Sequence, residues 1–160
     1  MPRLEPVRSD HADALLAFEL ENREYFAASI PDRGDDYFAE FGARHARLLE
    51  WQAAGTDYFH LLVTETGQIA GRVNLVEVKD ASAELGYRIG RAFAGQGLAT
   101  AAVGEVRKLA ADAYGLTTLR AKVTLDNPAS HKVLEHNGFV ATGDLVLNGK
   151  PAVTYLCELS

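Results

Sequence analysis

The chain has 160 residues, 48% hydrophobic and 24% charged, which is typical of one globular domain with its own core, and we expect a single domain over residues 1–160. A formal net charge of −6 without any Lys/Arg run argues against a nucleic-acid partner, and the single cysteine, Cys157, excludes an internal disulfide. No segment has the apolar run of a signal peptide or the ~20 apolar residues of a membrane span, so we expect a cytoplasmic protein with no membrane partner. No cluster has metal-ligand spacing, so we expect no metal. We expect the protein to be a monomer or a homodimer.

The first third of the chain predicts one strand and two helices. Ser9 or Asp10 is a suitable cap for the first helix, and Gly55 is a suitable end for the second. Between the helices, residues 30–34 read as a loop. The predicted elements are, in order, a strand at 4–7, a helix from about Ser9 to Glu21, and a helix at 35–54.

After Gly55 the hydrophobic period changes to that of strands, and turn residues separate the first three, which predicts an antiparallel meander. Asn148-Gly149 is a strong hairpin signal near the C-terminus. The predicted elements are strands at 58–64, 68–78 and 83–89, a helix from about 97 to 114, a strand at 119–125, a short helix after Asn127, and strands at 139–147 and 152–159. The order β-αα-βββ-α-β-α-ββ predicts an α+β domain with one mixed central sheet of about seven strands and flanking helices.

A glycine pair, Gly95 and Gly97, lies between the third strand of the meander and the next helix. Glycines let the backbone approach a ligand closely, and the unpaired N–H groups and dipole of a helix start favour an anion. The pair therefore indicates a main-chain site for a pyrophosphate, although a turn that only caps the helix explains it equally well. A dinucleotide-binding fold would need a third glycine where Thr100 stands, and a P-loop would need a GK[ST] segment.

A second polar segment follows the next strand. Asn127 and Ser130 lie three residues apart, which places both on one face at a helix start. Pro128 at the first helical position and Gly138 after the last turn bound this helix. Capping by Asn127, with Ser130 bonded to a neighbouring backbone group, is the purely structural interpretation.

Together the two segments resemble the GCN5-related N-acetyltransferase (GNAT) superfamily. Its acetyl-CoA loop, Q/R-x-x-G-x-G/A, is matched by Gly95 and Gly97, and its N-x-x-S/A signature with a later G-F pair is matched by Asn127, Ser130 and Gly138-Phe139. The resemblance covers about residues 58–160.

Within the superfamily the chain most resembles the ribosomal-protein N-terminal (alanine) acetyltransferases, at residues 21–23, 84–87 and 95–100. It departs from the usual pattern at Ala92, where a Gln or Arg is common, and at Ala94, where an aromatic residue is frequent. These departures leave the loop able to hold pyrophosphate by its backbone but leave the protein substrate open.

The resemblance implies acetyl-CoA as co-substrate and direct attack by a primary amine in a ternary complex. It implies that a backbone N–H near Ile89 polarises the thioester carbonyl, that Ser130 protonates the leaving sulfur, and that Asn127 bonds the pantetheine arm or nearby backbone. The cofactor-binding residues it implies are Tyr87, Arg88, Ile89, Ala94, Gly95, Gln96, Gly97, Leu98, Ala99, Thr100, Asn127 and Ser130.

Glu84 is the preferred base, because it stands on the cofactor strand and strand alternation puts it on the same face as Gly86 and Arg88. Glu77 and His60 are weaker choices, and His60 reads as an ordinary strand histidine. The other side-chain predictions are surface positions for His131 and His136, a core position for Cys157, and core or acceptor-pocket positions for Tyr25, Phe26, Tyr37, Phe38, Phe41 and Trp51.

The sequence leaves the acceptor open between a protein N-terminal amine and a small amine such as a polyamine, an amino acid or an aminoglycoside. A catalytically inactive acyl-CoA-binding module is the remaining alternative. Intact Gly95, Gly97, Asn127 and Ser130 argue against the inactive module.

Overall fold

The computed structural model describes residues 2–159. Within them, no helix is both long and apolar enough to cross a membrane. The elements are β1 (Arg3–Pro6), a 3₁₀ turn (Ser9–His11), α1 (Ala12–Glu21), α2 (Arg23–Ala27), α3 (Asp35–Ala39), α4 (Phe41–Ala54), β2 (Tyr58–Val63), β3 (Ile69–Lys79), β4 (Ser82–Ile89), a second 3₁₀ turn (Arg91–Phe93), α5 (Leu98–Asp112), β5 (Thr118–Thr124), α6 (Pro128–His136), β6 (Val140–Leu147) and β7 (Lys150–Glu158).

The strands form one seven-stranded sheet in the order β1-β2-β3-β4-β5-β7-β6. Neighbouring strands are antiparallel except β4 and β5, which are parallel. This confirms the predicted α+β class, the mixed sheet of seven strands and the succession of strands along the chain; the order of the strands within the sheet was not predicted.

The parallel pair separates soon after it begins. Ser82–Glu84 pair with Thr118–Arg120, and no register is formed beyond Glu84. On its other side β5 pairs with β7 along its whole length, from Thr118 to Thr124. The second half of β4 therefore has no strand on its β5 side, and a gap opens in the middle of the sheet.

Helices cover both faces of the sheet, and each face has its own core. On one face α5 and α6 pack Val103, Val106 and Leu134 against the central strands. Cys157 lies in this core with 1% exposure, as predicted. On the other face α1 to α4 enclose a second cluster around Leu15 and Leu61.

The predicted helix over 35–54 is two helices in the structure. The chain leaves helical geometry at Glu40, whose φ is −105°. Across this break Tyr37 and Phe41 meet edge to face, with ring centroids 5.7 Å apart, and both are buried. The prediction of one continuous helix was wrong because the aromatic packing on the core decides the path of the backbone here.

The start of the first helix also differs from the prediction. Ser9 and Asp10 lie inside a 3₁₀ turn and give no side-chain cap; instead the Arg8 N–H donates to Nδ1 of His11 at 2.9 Å. The sequence also gave no signal for α2, which extends the chain after Asn22.

Candidate active site

The glycine loop has the geometry that its sequence predicts. Gly95 and Gly97 have φ values of 75° and 74°, a region that other residues rarely adopt. Within residues 2–159, and apart from its two chain neighbours, a Cβ at either position would meet no atom within 4 Å, so the space above the loop is open. The first bond of α5 runs from the Ala101 N–H to the Gly97 carbonyl, which leaves the N–H groups of residues 98–100 free at the helix start.

A cavity of about 870 Å³ lies between this loop, the free part of β4 and the start of α6. All predicted cofactor-binding residues line it except Gln96, which is exposed to solvent beside it. Lys132 and His136 of α6 also line the cavity and were not predicted to do so. The structure therefore brings two distant sequence segments together around one cleft.

The free edge of β4 offers hydrogen-bonding groups to this cleft. The Gly90 N–H donates to the Ala70 carbonyl at 2.8 Å, so Gly90 bonds towards the β3 side. Because peptide groups alternate in direction along a strand, the N–H and C=O groups of Tyr87 and Ile89 point towards the gap. An extended ligand arm could pair there as an added strand would.

Two hydroxyl groups meet where β4 faces α6. The Tyr87 hydroxyl and Ser130 Oγ are 2.7 Å apart. Burial raises the pKa of the Tyr87 phenol, and the bond to Ser130 only partly opposes this, so the phenol keeps its proton at neutral pH. Asn127 caps α6, with its Oδ1 accepting from the Ser130 N–H at 3.3 Å.

Sequence reasoning named both hydroxyl-bearing residues but not their contact. Strand alternation places Tyr87 on the sheet face opposite Glu84, the face that α5 and α6 cover. Strand alternation was therefore the signal in the sequence that could have indicated the Tyr87–Ser130 contact.

Glu84 lies on the other face of the sheet. Its Oε1 is 3.2 Å from Lys122 Nζ and 3.9 Å from Arg120. This oxygen atom is itself buried and has no hydrogen bond of good geometry within the described part of the chain, whereas the side chain as a whole is 24% exposed. Glu84 does not line the large cleft. It is two residues, about 6–7 Å along the strand, from Gly86, which lines the cavity described next.

A second cavity, of about 370 Å³, occupies the gap between the separated ends of β4 and β5. Ser29 and Ile30, from the loop after α2, border it on one side, and Asn148 of the β6–β7 hairpin borders it on the other. Tyr87 and Ser130 line this cavity as well as the large cleft. Ser29, Ile30 and Asn127 are also shared, so the hydroxyl pair lies within the boundary where the two cavities meet.

Comparison with known families accounts for this architecture. The family described as the acetyltransferase (GNAT) domain matches residues 3–140. The chain belongs to the GNAT acetyltransferase family. The predicted family and enzyme class, an N-acetyltransferase, are confirmed.

Several relatives of this GNAT chain are known. The probable N-acetyltransferase YjcK of Bacillus subtilis is 28% identical over 155 residues, which span 90% of this chain and 85% of that protein. The structure of ribosomal-protein-S5-alanine acetyltransferase from Vibrio fischeri matches with a TM-score of 0.91 at 21% identity, covering 98% of this chain and 92% of that one. Spermidine N-acetyltransferase from Vibrio cholerae, in complex with CoA and spermine, matches with a TM-score of 0.79 at 18% identity, covering 98% and 95%. At such identities the two structures show a common fold and select no acceptor.

On the α1–α4 side, the GNAT chain carries a buried ion cluster that sequence reasoning missed. Glu19 accepts from Arg72 at 2.7 Å and from Arg88 at 3.2 Å, and Glu19 and Arg72 are only 2% and 3% exposed. The Arg88 guanidinium also lies 4.7 Å from the ring centre of Phe26. Arg88 lines the large cleft, but its charge is engaged by Glu19.

Asn22 fixes the end of α1 to the loop that follows β4. Its side-chain amide donates to the Phe18 carbonyl, and its Oδ1 accepts from the Arg91 N–H, both at 2.9 Å. Residues 21–23, which resemble the ribosomal-protein N-terminal acetyltransferases, therefore include a residue that connects α1 to the loop after β4.

The histidines have structural positions. His60 is fully buried and bonds through Nδ1 to the Val73 carbonyl at 3.0 Å and through Nε2 to the Tyr114 hydroxyl; burial lowers its pKa. The prediction of a surface position for His131 was wrong: its ring joins the Tyr155 hydroxyl at 2.6 Å and the Thr124 carbonyl at 3.0 Å, because it bridges α6 to β5 and β7.

The remaining side-chain predictions have mixed outcomes. His136 is exposed, as predicted, at the rim of the large cleft. Glu77 is also exposed, at an irregular point of β3. Two of the aromatic residues expected in the core or acceptor pocket are not in the core: Tyr25 and Trp51 are 40% and 43% exposed. Tyr25 lines the large cleft and Trp51 lines a cavity against α4, each at the protein surface.

Proposed function

We propose that this chain transfers the acetyl group of acetyl-CoA to a protein N-terminal amine. The observation that carries the proposal is the meeting of two cavities at the Tyr87–Ser130 hydroxyl pair. One cavity has the open glycine loop that suits a cofactor pyrophosphate, and the other opens between the separated strands, where an acceptor amine could approach.

The large cleft fits CoA by its donor groups. The free N–H groups of residues 98–100 suit the pyrophosphate, and Lys132 adds a positive charge to the same cavity. The inward-pointing groups of Tyr87 and Ile89 suit the amides of the pantetheine arm. In this arrangement the thioester would reach the gap between β4 and β5.

Acetyl transfer then needs one proton removed and one supplied. The amine nitrogen attacks the carbonyl carbon, whose oxygen would accept a hydrogen bond from the Ile89 N–H, and the carbon–sulfur bond breaks. Ser130 would give its proton to the departing thiolate and recover one from Tyr87, to which it is bonded, and Tyr87 would regain its proton from solvent. Glu84, whose Oε1 lies 3.2 Å from Lys122 Nζ, would take the proton of the amine through water and later release it to solvent.

An N-terminal amine suits this arrangement because it needs only a weak base. Its pKa is about 8, against about 10.4 for a lysine side chain, so far more of it is neutral at pH 7. Ser29 and Asn148 leave a groove between a loop and a hairpin tip through which a peptide terminus could enter. A small amine is the second candidate, favoured by the modest 370 Å³ of that cavity.

The test is release of free thiol from acetyl-CoA with a panel of acceptors. The panel contains short peptides with free N-termini, N-blocked peptides that contain lysine, polyamines and aminoglycosides. We expect the highest kcat/KM for the free N-termini. A preference for polyamines or blocked peptides would refute the N-terminal acceptor, and acetyl-CoA binding without turnover on any amine would instead support an inactive binding module.

A further inference from the structure

A third cavity, of about 250 Å³, lies against α4 on the face of the sheet opposite α5 and α6. Among the described residues its lining contains four arginines, Arg33, Arg44, Arg47 and Arg72, and no carboxylate. Arg72 is paired with Glu19 outside the lining, so the uncompensated charges are those of the other three. This concentration of positive charge is notable in a chain whose formal net charge is −6. An acidic protein that gathers arginines around one cavity creates a local site for an anion.

The charges at the mouth of this arginine cavity are poorly neutralised by the protein. Among residues 2–159, Arg33 and Arg47 have no carboxylate within 4.0 Å, and Arg44 has only a 3.9 Å contact with exposed Glu40. The guanidinium groups of Arg33 and Arg44 lie 4.7 and 5.4 Å from the ring centre of Tyr37. These cation–π contacts hold two charged groups at the cavity while leaving their N–H donors free for a ligand.

The floor of the cavity contains two buried side chains with unmet hydrogen bonds. Arg72 and His45 are 3% and 4% exposed, and both belong to the lining. Arg72 Nε and His45 Nδ1 have no partner among the described residues, whereas His45 Nε2 bonds to the Arg8 carbonyl at 2.9 Å. The Nε–H of Arg72 is therefore a buried donor without a partner, which favours an anion at this point. His45 supplies no donor to the anion, because its Nε2–H donates to the Arg8 carbonyl and its Nδ1 carries a lone pair.

The rest of the wall is apolar. Phe41 and Leu48 lie beside the arginines, and Trp51, the single tryptophan of the chain, is 43% exposed there. We propose that the arginine cavity binds a small carboxylate or phosphate that is carried on an apolar, preferably aromatic, body. The guanidinium groups take the charged end and the aromatic wall takes the body.

The position of the cavity allows two sources for such a ligand. Arg33 also lines a small neighbouring cavity, whose other side is formed by Phe26 and Arg88 of the large cleft. The anion is therefore either a distant group of the acceptor molecule or a separate effector. Binding itself does not depend on the acetyl-transfer proposal, and it is measured without turnover.

Trp51 fluorescence reports directly on this cavity because no other tryptophan contributes. The probes are phenyl phosphate and benzoate, with benzyl alcohol and benzylamine as neutral and cationic counterparts, all with saturating CoA so that the large cleft is occupied. We expect saturable quenching by the two anions alone. The double variant Arg44→Gln/Arg47→Gln should raise their Kd at least tenfold, about 1.4 kcal/mol.

The matched control is Arg3→Gln/Lys108→Gln, which removes the same two charges from exposed positions elsewhere. It should leave the Kd unchanged. Equal weakening by both double variants, equally tight binding of benzyl alcohol, or no saturable binding to the wild type would overturn the proposal.

Steady-state kinetics with the best acceptor then separates the two sources. If the anion raises the apparent KM of the acceptor without changing kcat, the cavity holds part of the acceptor. If it changes kcat at saturating acceptor, the cavity holds an effector.

Discussion

The two sides of the sheet form their sites from different groups, main-chain atoms on one side and side chains on the other. On the α5–α6 side, the cleft is shaped by main chain: the glycine loop, the free edge of β4 and the capped start of α6. On the α1–α4 side, the ion cluster is formed by side chains distant in sequence: Glu19 contacts Arg72 and Arg88, which lie 53 and 69 residues further along the chain. A main-chain site withstands the loss of most single side chains but not added bulk, whereas a side-chain cluster fails when one member is removed.

The largest effect should come from adding bulk and charge to the main-chain side. Gly97→Glu places a carboxylate where the pyrophosphate is proposed to bind, so it should abolish CoA binding and turnover. Wild-type protein with CoA at 100 times its Kd should gain about 2.7 kcal/mol, a rise of roughly 5–10 °C in Tm. Thermal unfolding with and without CoA measures this.

Gly67→Glu is the matched control for that experiment. Gly67 has a φ of 86° and open space around it, so backbone strain and added charge are equal, but it lies in the β2–β3 turn. It should keep the full CoA-induced rise. A normal rise in Gly97→Glu would show that the glycine loop does not hold the cofactor.

The opposite side should fail when one side chain is neutralised. Glu19→Gln leaves Arg72 buried and Arg88 half-buried without a counter-charge, which should lower the free energy of unfolding by about 3–5 kcal/mol. Glu21→Gln removes an exposed carboxylate from the same helix and should change stability by less than about 0.5 kcal/mol. Chemical denaturation compares the two variants, and similar stabilities would mean that the cluster contributes little to this side.

Where the two cavities meet, on the α5–α6 side, removal of a hydroxyl should affect the chemistry alone. Ser130→Ala should lower kcat by roughly 10²-fold while CoA affinity stays near the wild-type value, because the proton donor is lost but the main-chain site remains. Tyr87→Phe should act in the same direction and add little to Ser130→Ala in a double variant. Full additivity of the two changes would argue against a shared relay.

Tyr114→Phe provides the control for Tyr87→Phe. It also removes a hydroxyl that has a hydrogen-bond partner, here Nε2 of His60, but Tyr114 lines neither cavity. Its kcat should be that of the wild type, and any loss should appear as reduced stability of the order of 1 kcal/mol.

The smallest effect should be that of the base. Glu84→Gln should lower the rate about tenfold near neutral pH and recover towards the wild-type rate as the amine, with a pKa of about 8, loses its proton unaided. The pH dependence of kcat/KM measures this, with exposed Glu77→Gln as the control. An unchanged profile would remove Glu84 from the mechanism and leave water as the base.

The candidate site was predictable to the extent that local backbone makes it. Gly95, Gly97 and Asn127 act through turn geometry and capping, which depend on a few adjacent residues, and the structure agrees at all three. The Tyr87–Ser130 contact was not predicted, since it requires knowing that β4 and α6 face each other across the gap. The arginine cavity was missed for the same reason, as Arg72 joins three residues from another part of the chain.

The sequence by itself determined the α+β class, the succession of strands along the chain, the Asn148-Gly149 hairpin and the glycine loop, because hydrophobic period and turn chemistry are local properties. Only the tertiary structure decided where the helix over 35–54 breaks, how far β4 and β5 separate, and which carboxylate Arg88 contacts. Those outcomes depend on burying aromatic rings and pairing charges between segments that are far apart in the chain. Local sequence patterns carry no information about contacts between distant segments, and these contacts are decided by tertiary packing.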